Sequence, residues 1–209
     1  MSTLNIRYML EGTPVRMRYT MRWATSRVSF PENVAEHSWF VCFYAMMIAR
    51  WYVRVAIGNE AFQNNFLGKV LQRAVLHDIE EARSGDIHRP FKHSTPELKK
   101  AMFNAAKEAA VQTLVPLTNG GSQSNELLDI WENAKDDSYA GRIVRFADLL
   151  AVLAFIKQEG KDGLKHLYLD TLLPHFKEME MAEFEFIRPL VTQAKIFMEE
   201  TLNGKDVHT

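Results

Sequence analysis

Hydrophobic residues recur along most of the chain at spacings of three and four positions, which is the period of an amphipathic helix. No stretch shows a convincing alternation of apolar and polar residues, as a half-buried strand would. The pattern predicts seven helices, at about 14–24, 34–57, 60–82, 95–115, 125–134, 138–158 and 176–202. We therefore expect an all-α helical bundle that forms a single domain over residues 1–209, with its core at about 15–160 and a C-terminal helix at about 176–202.

Turn-forming residues mark several of these helix ends. Gly85 is expected to end the third helix, because glycine readily adopts the left-handed conformation of a helix terminator. The Ser-Thr pair before Pro96 has the form of an N-cap followed by the first helical position, so residues 86–95 are predicted to be a loop. The segment TNGGSQSN at 118–125 predicts a flexible turn.

Composition narrows the class of protein. The chain has 209 residues, of which 47% are hydrophobic, and a formal net charge of -1, so it can build a real core but offers no electrostatic case for binding long nucleic acid or an anionic membrane. The lone Cys42 lies in an apolar run and predicts a buried thiol in a reducing cytoplasm. No signal peptide is apparent, and Arg50 interrupts the longest apolar stretch, which is too short to span a membrane.

Polar residues interrupt three otherwise apolar helices. His37 begins the run WFVCFYAMMIA, the pair His77-Asp78 ends RAVLHD, and Asp148 lies within IVRFADLLAVLAF. A carboxylate buried alone costs several kcal/mol, so Asp148 requires a partner. Two histidines and two aspartates are a mixed nitrogen and oxygen set that suits Mn, Fe, Co, Ni or Zn.

Simpler interpretations of the same residues stay open at this stage. Asp148 could form an ordinary ion pair with Arg142 or Arg145, and His37 could be a helix-start or satisfied core histidine. Glu36, directly before His37, is interpreted as a cap or as a partner of that histidine. Glu81 follows His77 by four residues and therefore lies on the same helix face, where it could touch a metal-bound water.

The order of these residues resembles the H…HD…D signature of the HD-domain metal-dependent phosphohydrolases. Further segments resemble the 5′-deoxynucleotidase branch of that superfamily: RW at 22–23, ENVAEHS at 32–38, HDIEEARSGDI at 77–87, PFK at 90–92 and FAD at 146–148. The resemblance covers roughly residues 15–160. It implies the HD-domain helical bundle, with the metal site in its centre.

The resemblance also implies a metal centre. Its ligands would be His37, His77, Asp78 and Asp148, and they would hold one divalent ion of Co, Mn, Fe, Ni or Zn. A second ion, Mg or Mn, could enter with the substrate.

The same resemblance implies two catalytic carboxylates. Glu81 would orient or deprotonate the attacking water, and Asp86 would lie near the leaving 5′-oxygen. Of the neighbours Glu80 and Glu81, one is expected to be a solvated surface residue, and only the family spacing selects Glu81.

Substrate contacts are implied for four further residues. Arg22 would bind phosphate, Trp23 would pack on the sugar or base, and Lys92 would hold phosphate. Arg89, together with His88, could contact a longer phosphate tail. An apolar wall where a 2′-hydroxyl would sit leaves that hydroxyl without a partner, which favours deoxyribose.

The leading functional hypothesis is a 5′-nucleotidase that converts deoxyribonucleoside 5′-monophosphates into deoxynucleoside and phosphate. The closest alternative is a compact dNTP triphosphohydrolase of the phage dATP type. A cyclic-nucleotide phosphodiesterase fits less well, since the extra histidines it needs are not found, and a nucleotide-binding helical module would not need Glu81 and Asp86. A homo-oligomer, a dimer or larger, is expected because helical domains of this branch often associate.

Overall fold

The structure is a computed structural model that describes residues 4–24, 26, 28–56, 60–87, 89–92, 94–118, 120–159, 172–179 and 182–202. Its α-helices are α1 (Ile6–Glu11), α2 (Val34–Ala56), α3 (Glu60–Leu76), α4 (Glu81–Ser84), α5 (Arg89–Lys92), α6 (Pro96–Leu114), α7 (Ser122–Glu132), α8 (Tyr139–Glu159), α9 (Leu173–Met179) and α10 (Arg188–Leu202). Short 3₁₀ helices cover Thr13–Arg18, Val115–Leu117 and Ala182–Ile187. The all-α prediction is confirmed. Within the described ranges, every helix is too short or too polar to cross a membrane.

The core is built around α8, which packs against α2 and α3. Helix α8 is buried on most of its surface, and its Ile143 and Phe146 meet Val41 and Ala45 of α2 in the larger of two hydrophobic clusters. Helices α9 and α10 add side chains to the same cluster. A helix that is apolar nearly all round belongs inside a protein, so α8 places Asp148 near the centre of the fold.

A second, smaller cluster lies beside the first. It joins Met17, Val34, Leu114 and Trp131, and it packs the start of α2 against α6 and α7. The residues that follow α3 pass between the two clusters, since Ile79 and Ala82 belong to the second cluster and Ala74 to the first. The His-Asp pair therefore emerges where both clusters meet.

Reciprocal hydrogen bonds fix the start of α2. The Asn33 side chain accepts from the Glu36 amide at 3.0 Å, and the Glu36 carboxylate accepts from the Asn33 amide at 3.1 Å. This arrangement is a capping box. The interpretation of Glu36 as a cap is confirmed, and the box sets the first turn that carries His37.

The predicted helix start at Pro96 is also confirmed, and a helix does end at Gly85. The third helix, expected at 60–82, was wrong in extent: α3 ends at Leu76, and Gly85 ends the separate short helix α4. Gly85 has a φ of 73° directly after α4, and Thr95 accepts a hydrogen bond from the Leu98 amide at 3.1 Å, with Pro96 in the first helical position.

Several sequence-based boundaries were wrong. The helix expected at 14–24 is a 3₁₀ helix up to Arg18, because backbone hydrogen bonds from Arg22 to Glu32 (2.9 Å) and from Val34 to Thr20 (2.9 Å) pull the following residues into an extended path. The loop expected at 86–95 contains α5, and α7 already begins at Ser122 inside the turn expected at 118–125.

Two further expectations need correction. The helix expected at 176–202 is divided into α9, a 3₁₀ helix and α10. Cys42 is half-buried rather than fully buried, although it does pack against the larger cluster.

Candidate active site

Four side chains from two helices and from the turn after a third converge in the centre of the fold. His37 comes from the first turn of α2, His77 and Asp78 directly follow α3, and Asp148 lies in the middle of α8. One ligand atom from each lies within 4.8 Å of the others. His37, His77 and Asp148 are buried, and Asp78 is nearly so. The structure thus brings together all four residues that the sequence selected as metal ligands.

The orientation of His77 suits a metal ion. Its Nδ1 lies 2.7 Å from the Ala74 carbonyl oxygen, which can only accept, so Nδ1 carries the proton in the neutral ring. The lone pair of Nε2 then faces Asp78 Oδ2 at 2.9 Å, and Nε2 has no hydrogen-bond partner within the described part of the chain. Two unprotonated acceptors this close repel each other, and either a metal ion between them or a proton on Nε2 removes that repulsion. The donor set therefore fits a divalent metal ion.

His37 is held neutral by its surroundings. Its Nε2 lies 3.0 Å from Asp148 Oδ1, and its Nδ1 lies 3.9 Å from Glu32 Oε1. Burial first, and then the positive charge of Arg22, lower the pKa of His37 to about 4, although Asp148 acts in the opposite direction. A neutral imidazole is the form that binds a metal ion.

Lys135, which the sequence did not indicate, also reaches this cluster. Its Nζ lies 2.7 Å from Asp148 Oδ2 and 3.4 Å from Asp78 Oδ1. Burial opposes the ionisation of Asp148, but Lys135 and then His37 outweigh it and hold the pKa of this carboxyl well below its usual range. Arg145, one of the two ion-pair partners considered for Asp148, instead binds the Lys135 carbonyl and Asp137.

Both glutamates after the His-Asp pair are buried, so the expectation that one would be solvated was wrong. Glu80 is 9% exposed and Glu81 4% exposed. They differ in their partners: Glu80 accepts a 2.7 Å hydrogen bond from the Trp131 indole, whereas Glu81 Oε1 binds Lys92 Nζ at 3.1 Å. Burial and then the charge of Asp78 raise the pKa of Glu80 to about 7, and the same two causes raise that of Glu81 well above its usual value.

Arg22 lies on the other side of the cluster. Its guanidinium is 3.2 Å from Glu32 Oε2 and 3.8 Å from Asp78 Oδ2. Burial disfavours the charge of Arg22, but the surrounding carboxylates, with Asp86 and Asp78 the largest contributors, outweigh burial and raise its pKa. Asp86, half-buried after Gly85, therefore acts electrostatically on the same site.

Trp23, next to Arg22, is held in place by a stacking contact and a hydrogen bond. Its indole stacks on Phe155 of α8, with ring centroids 5.0 Å apart and planes 4° apart, and its Nε1 donates to Glu32 at 3.1 Å. Its backbone φ is 62°, which is unfavourable for a bulky residue and persists only where the surroundings enforce it. The side chain of Arg89, the fourth predicted substrate contact, lies outside the described residues, as does His88.

Comparison with known proteins agrees with this geometry. A model of the YfbR-like 5′-deoxynucleotidase family matches residues 12–202. A 5′-deoxynucleotidase of Vibrio parahaemolyticus is 33% identical over 177 residues, which cover 81% of this chain and 86% of the relative. A dATP triphosphohydrolase of cyanophage S-2L is 25% identical over 162 residues, which cover 76% of this chain and 78% of the relative.

A solved structure shows the same fold. It is a cyanophage S-2L HD phosphohydrolase bound to dA and one catalytic Zn²⁺ ion, with a TM-score of 0.59 at 20% identity, over 91% of this chain and 97% of that chain. The resemblance drawn from the sequence motifs is thereby confirmed. The chain belongs to the YfbR-like 5′-deoxynucleotidase family.

Proposed function

We propose that the protein is a metal-dependent 5′-nucleotidase that hydrolyses deoxyribonucleoside 5′-monophosphates to deoxynucleoside and phosphate. The observation that carries this proposal is the buried His77 Nε2 atom, which faces Asp78 Oδ2 at 2.9 Å. The buried carboxylate of Glu81 follows this His-Asp pair in the chain. Family membership and the 33% identical 5′-deoxynucleotidase of Vibrio parahaemolyticus support the same activity.

His37, His77, Asp78 and Asp148 would hold the ion. Two imidazoles and two carboxylates fit Co, Mn, Fe, Ni or Zn, and the catalytic Zn²⁺ of the cyanophage structure supports a divalent transition metal. Such an ion, when bound, lowers the pKa of a bound water and neutralises charge on a phosphoryl group. A second Mg or Mn ion entering with the substrate stays a prediction.

Two carboxylates would move protons. Glu81 Oε1 is fixed by Lys92, whereas Glu81 Oε2 is buried and has no hydrogen-bond partner within the described chain. We assign Glu81 Oε2 to the attacking water, which it orients and deprotonates. Asp86, half-buried after Gly85, would protonate the leaving 5′-oxygen.

Positive side chains and the indole would position the nucleotide. Arg22 lies 3.8 Å from Asp78 and Lys92 lies 3.1 Å from Glu81, so both could bind phosphate oxygens beside these carboxylates. Trp23, backed by Phe155, offers an apolar surface to the sugar, and an apolar surface leaves a 2′-hydroxyl without a partner. This supports deoxyribose over ribose.

The alternative function is a dNTP triphosphohydrolase, and the 25% identical dATP triphosphohydrolase of cyanophage S-2L favours it. Incubation with each dNMP, NMP and dNTP in Co²⁺, Mn²⁺ or Mg²⁺, followed by anion-exchange chromatography, separates the two. Orthophosphate released from dNMPs is expected. Inorganic triphosphate released from dNTPs would support the alternative, and turnover of no nucleotide under any metal would support a binding module.

We also propose a homodimer that forms through one face of α2. Trp39, Phe43 and Met47 follow each other at four-residue intervals on this face and are exposed, Trp39 to 61%. An antiparallel pair of α2 helices centred on Phe43 places Trp39 opposite Met47 and Glu36 opposite Arg50, so both apolar and charged positions are complementary. Cytoplasmic location stays a prediction, supported by the single cysteine of the chain.

Sedimentation tests this interface. Phe43→Glu should give a monomer, whereas Phe62→Glu, at a comparably exposed phenylalanine of α3, should sediment as the wild type does. A dimer that survives Phe43→Glu would place the interface elsewhere.

A further inference from the structure

Lys135 lies in the loop between α7 and α8 and is aimed at the metal site rather than at solvent. Its ammonium bridges two of the four candidate ligands, at 2.7 Å from Asp148 and 3.4 Å from Asp78. Its side chain is 31% exposed, so one part of it faces the open side of the site. A lysine in this position influences both the carboxylates and whatever enters beside them.

The loop is built to hold Lys135 in place. Arg145 of α8 donates to the Lys135 carbonyl at 2.7 Å, and Arg73 of α3 donates to Asp136 at 2.6 Å. The Ser138 amide donates to the same Asp136 carboxylate at 3.1 Å. Asp136 also lies against Gly141, where a Cβ would collide with its backbone. Helices α3 and α8 therefore fix the backbone from which Lys135 projects.

A metal ion and the ammonium are attracted to the same two carboxylates through different oxygens. Lys135 lies at Asp148 Oδ2 and Asp78 Oδ1, whereas the histidine Nε2 atoms face Asp148 Oδ1 and Asp78 Oδ2. A divalent cation held by these two carboxylates would lie close to the ammonium, and the two positive charges would repel each other. Lysine has a flexible four-carbon stem and a compact charge. The head group can therefore move while the loop stays fixed, and the open side of the site is where the substrate phosphate must enter.

We infer that Lys135 neutralises Asp78 and Asp148 in the metal-free protein and becomes a phosphate ligand once the metal and substrate bind. The inference rests on the proposed function, because it takes the ligand to be the phosphate of a nucleotide. It adds a substrate-contacting residue outside the sequence motifs, and it explains why a flexible lysine rather than a rigid arginine occupies this position.

Titration calorimetry of Lys135→Met with two probes tests both parts. With Mn²⁺ alone, the variant should bind the ion about tenfold more tightly than the wild type, because a competing cation is gone. With inorganic phosphate added to the Mn²⁺-loaded protein, the variant should bind about tenfold more weakly, since one charge-assisted hydrogen bond is lost. Lys135→Arg should restore phosphate binding at least in part.

Lys135→Met should bind Mn²⁺ more tightly but phosphate more weakly. A purely structural role for Lys135 would not change the two affinities in opposite directions. Lys107→Met is the matched control, because Lys107 pairs with Glu132 on the surface at 2.8 Å and should change neither affinity. Unchanged or weaker Mn²⁺ binding by Lys135→Met would overturn the counter-ion role, and unchanged phosphate binding would overturn the phosphate role. A wild type that binds Mn²⁺ and phosphate as expected but hydrolyses no dNMP would refute only the proposed nucleotidase activity.

Discussion

The candidate active site has two sides that are built differently. On one side, packed helices carry His37 and Asp148, and the turn directly after α3 carries His77 and Asp78. Helix α8, which carries Asp148, is buried almost all round. On the other side, irregular segments carry Trp23, which has a φ of 62°, and Lys135, whose backbone carbonyl accepts a hydrogen bond from Arg145. Ligands on packed helices need little beyond the core to position them, whereas each residue on the irregular side depends on several specific hydrogen bonds.

The largest effect is expected at the helical side. His77→Ala and Asp148→Asn should each lower kcat/KM by at least about a hundredfold, because loss of even an outer partner of a metal ligand typically costs ten- to hundredfold. Bound metal, measured by mass spectrometry, should fall in parallel. Full metal content in both variants would show that the cluster is not the metal site.

The neighbours Glu80 and Glu81 give the next largest contrast. Glu81→Gln should lower kcat by about a hundredfold or more, the usual contribution of a general base, while metal content is kept. Glu80→Gln is the matched control and should change kcat by only a few-fold, since Glu80 binds Trp131 instead of facing the open site. Equal losses in both variants would contradict the assignment of Glu81.

The irregular side can be loosened without touching a site residue. Gly141→Ala should lower the melting temperature by several degrees, because its Cβ would collide with the Asp136 backbone and such strain costs about 1–3 kcal/mol. Gly68→Ala in α3 meets no atom within 4 Å and should raise stability by up to about 1 kcal/mol. If the contrast between the two sides is correct, Gly141→Ala should also weaken phosphate binding more than metal binding.

The smallest effect concerns the pH dependence of the same loop. Burial acts to raise the pKa of Asp136, but its hydrogen bonds from Arg73 and Ser138 outweigh burial and lower it. A carboxyl whose pKa is lowered by folding stabilises the fold above its unfolded pKa of about 3.9, and this contribution disappears as pH falls through the folded value. Asp136→Asn should therefore lower the melting temperature at pH 7 but have a diminishing effect below about pH 4. An equal loss at both pH values would assign the effect to packing.

The two sides also differ in how far the sequence predicted them. His37 and Asp148 could be recognised because each interrupts an apolar helical pattern, and a buried polar group requires a partner. Lys135 in ENAKDDS looks like any surface lysine, and nothing local shows that its loop folds back over α8. The burial of Glu80 was missed for a related reason, since its partner Trp131 lies 51 residues away in α7.

Sequence signals predicted correctly those features that depend only on residues close together in the chain. The capping box of Asn33 and Glu36 and the left-handed Gly85 depend on residues within a few positions of each other. The helix expected at 14–24 failed because long-range backbone bonds to Glu32 and Val34 override a helical pattern in that stretch. The residue roles stay predictions that the variants above can test, and the single-domain expectation stays a prediction.

Helix α8 sets the distance between the candidate metal ligand Asp148 and the aromatic pair formed by Trp23 and Phe155. Asp148 and Phe155, which backs Trp23, are seven residues apart on it, or about 10 Å at 1.5 Å per residue, and two turns bring them close to the same face. Glu159, four residues further, accepts hydrogen bonds from the Ser29 and Phe30 amides at 2.6 Å. One inserted residue between Asp148 and Phe155 would rotate Phe155, and the Trp23 indole stacked on it, by about 100° relative to Asp148. In the proposed function, the distance between the metal ligand and the aromatic surface for the sugar is therefore set by the repeat of a helix rather than by a loop.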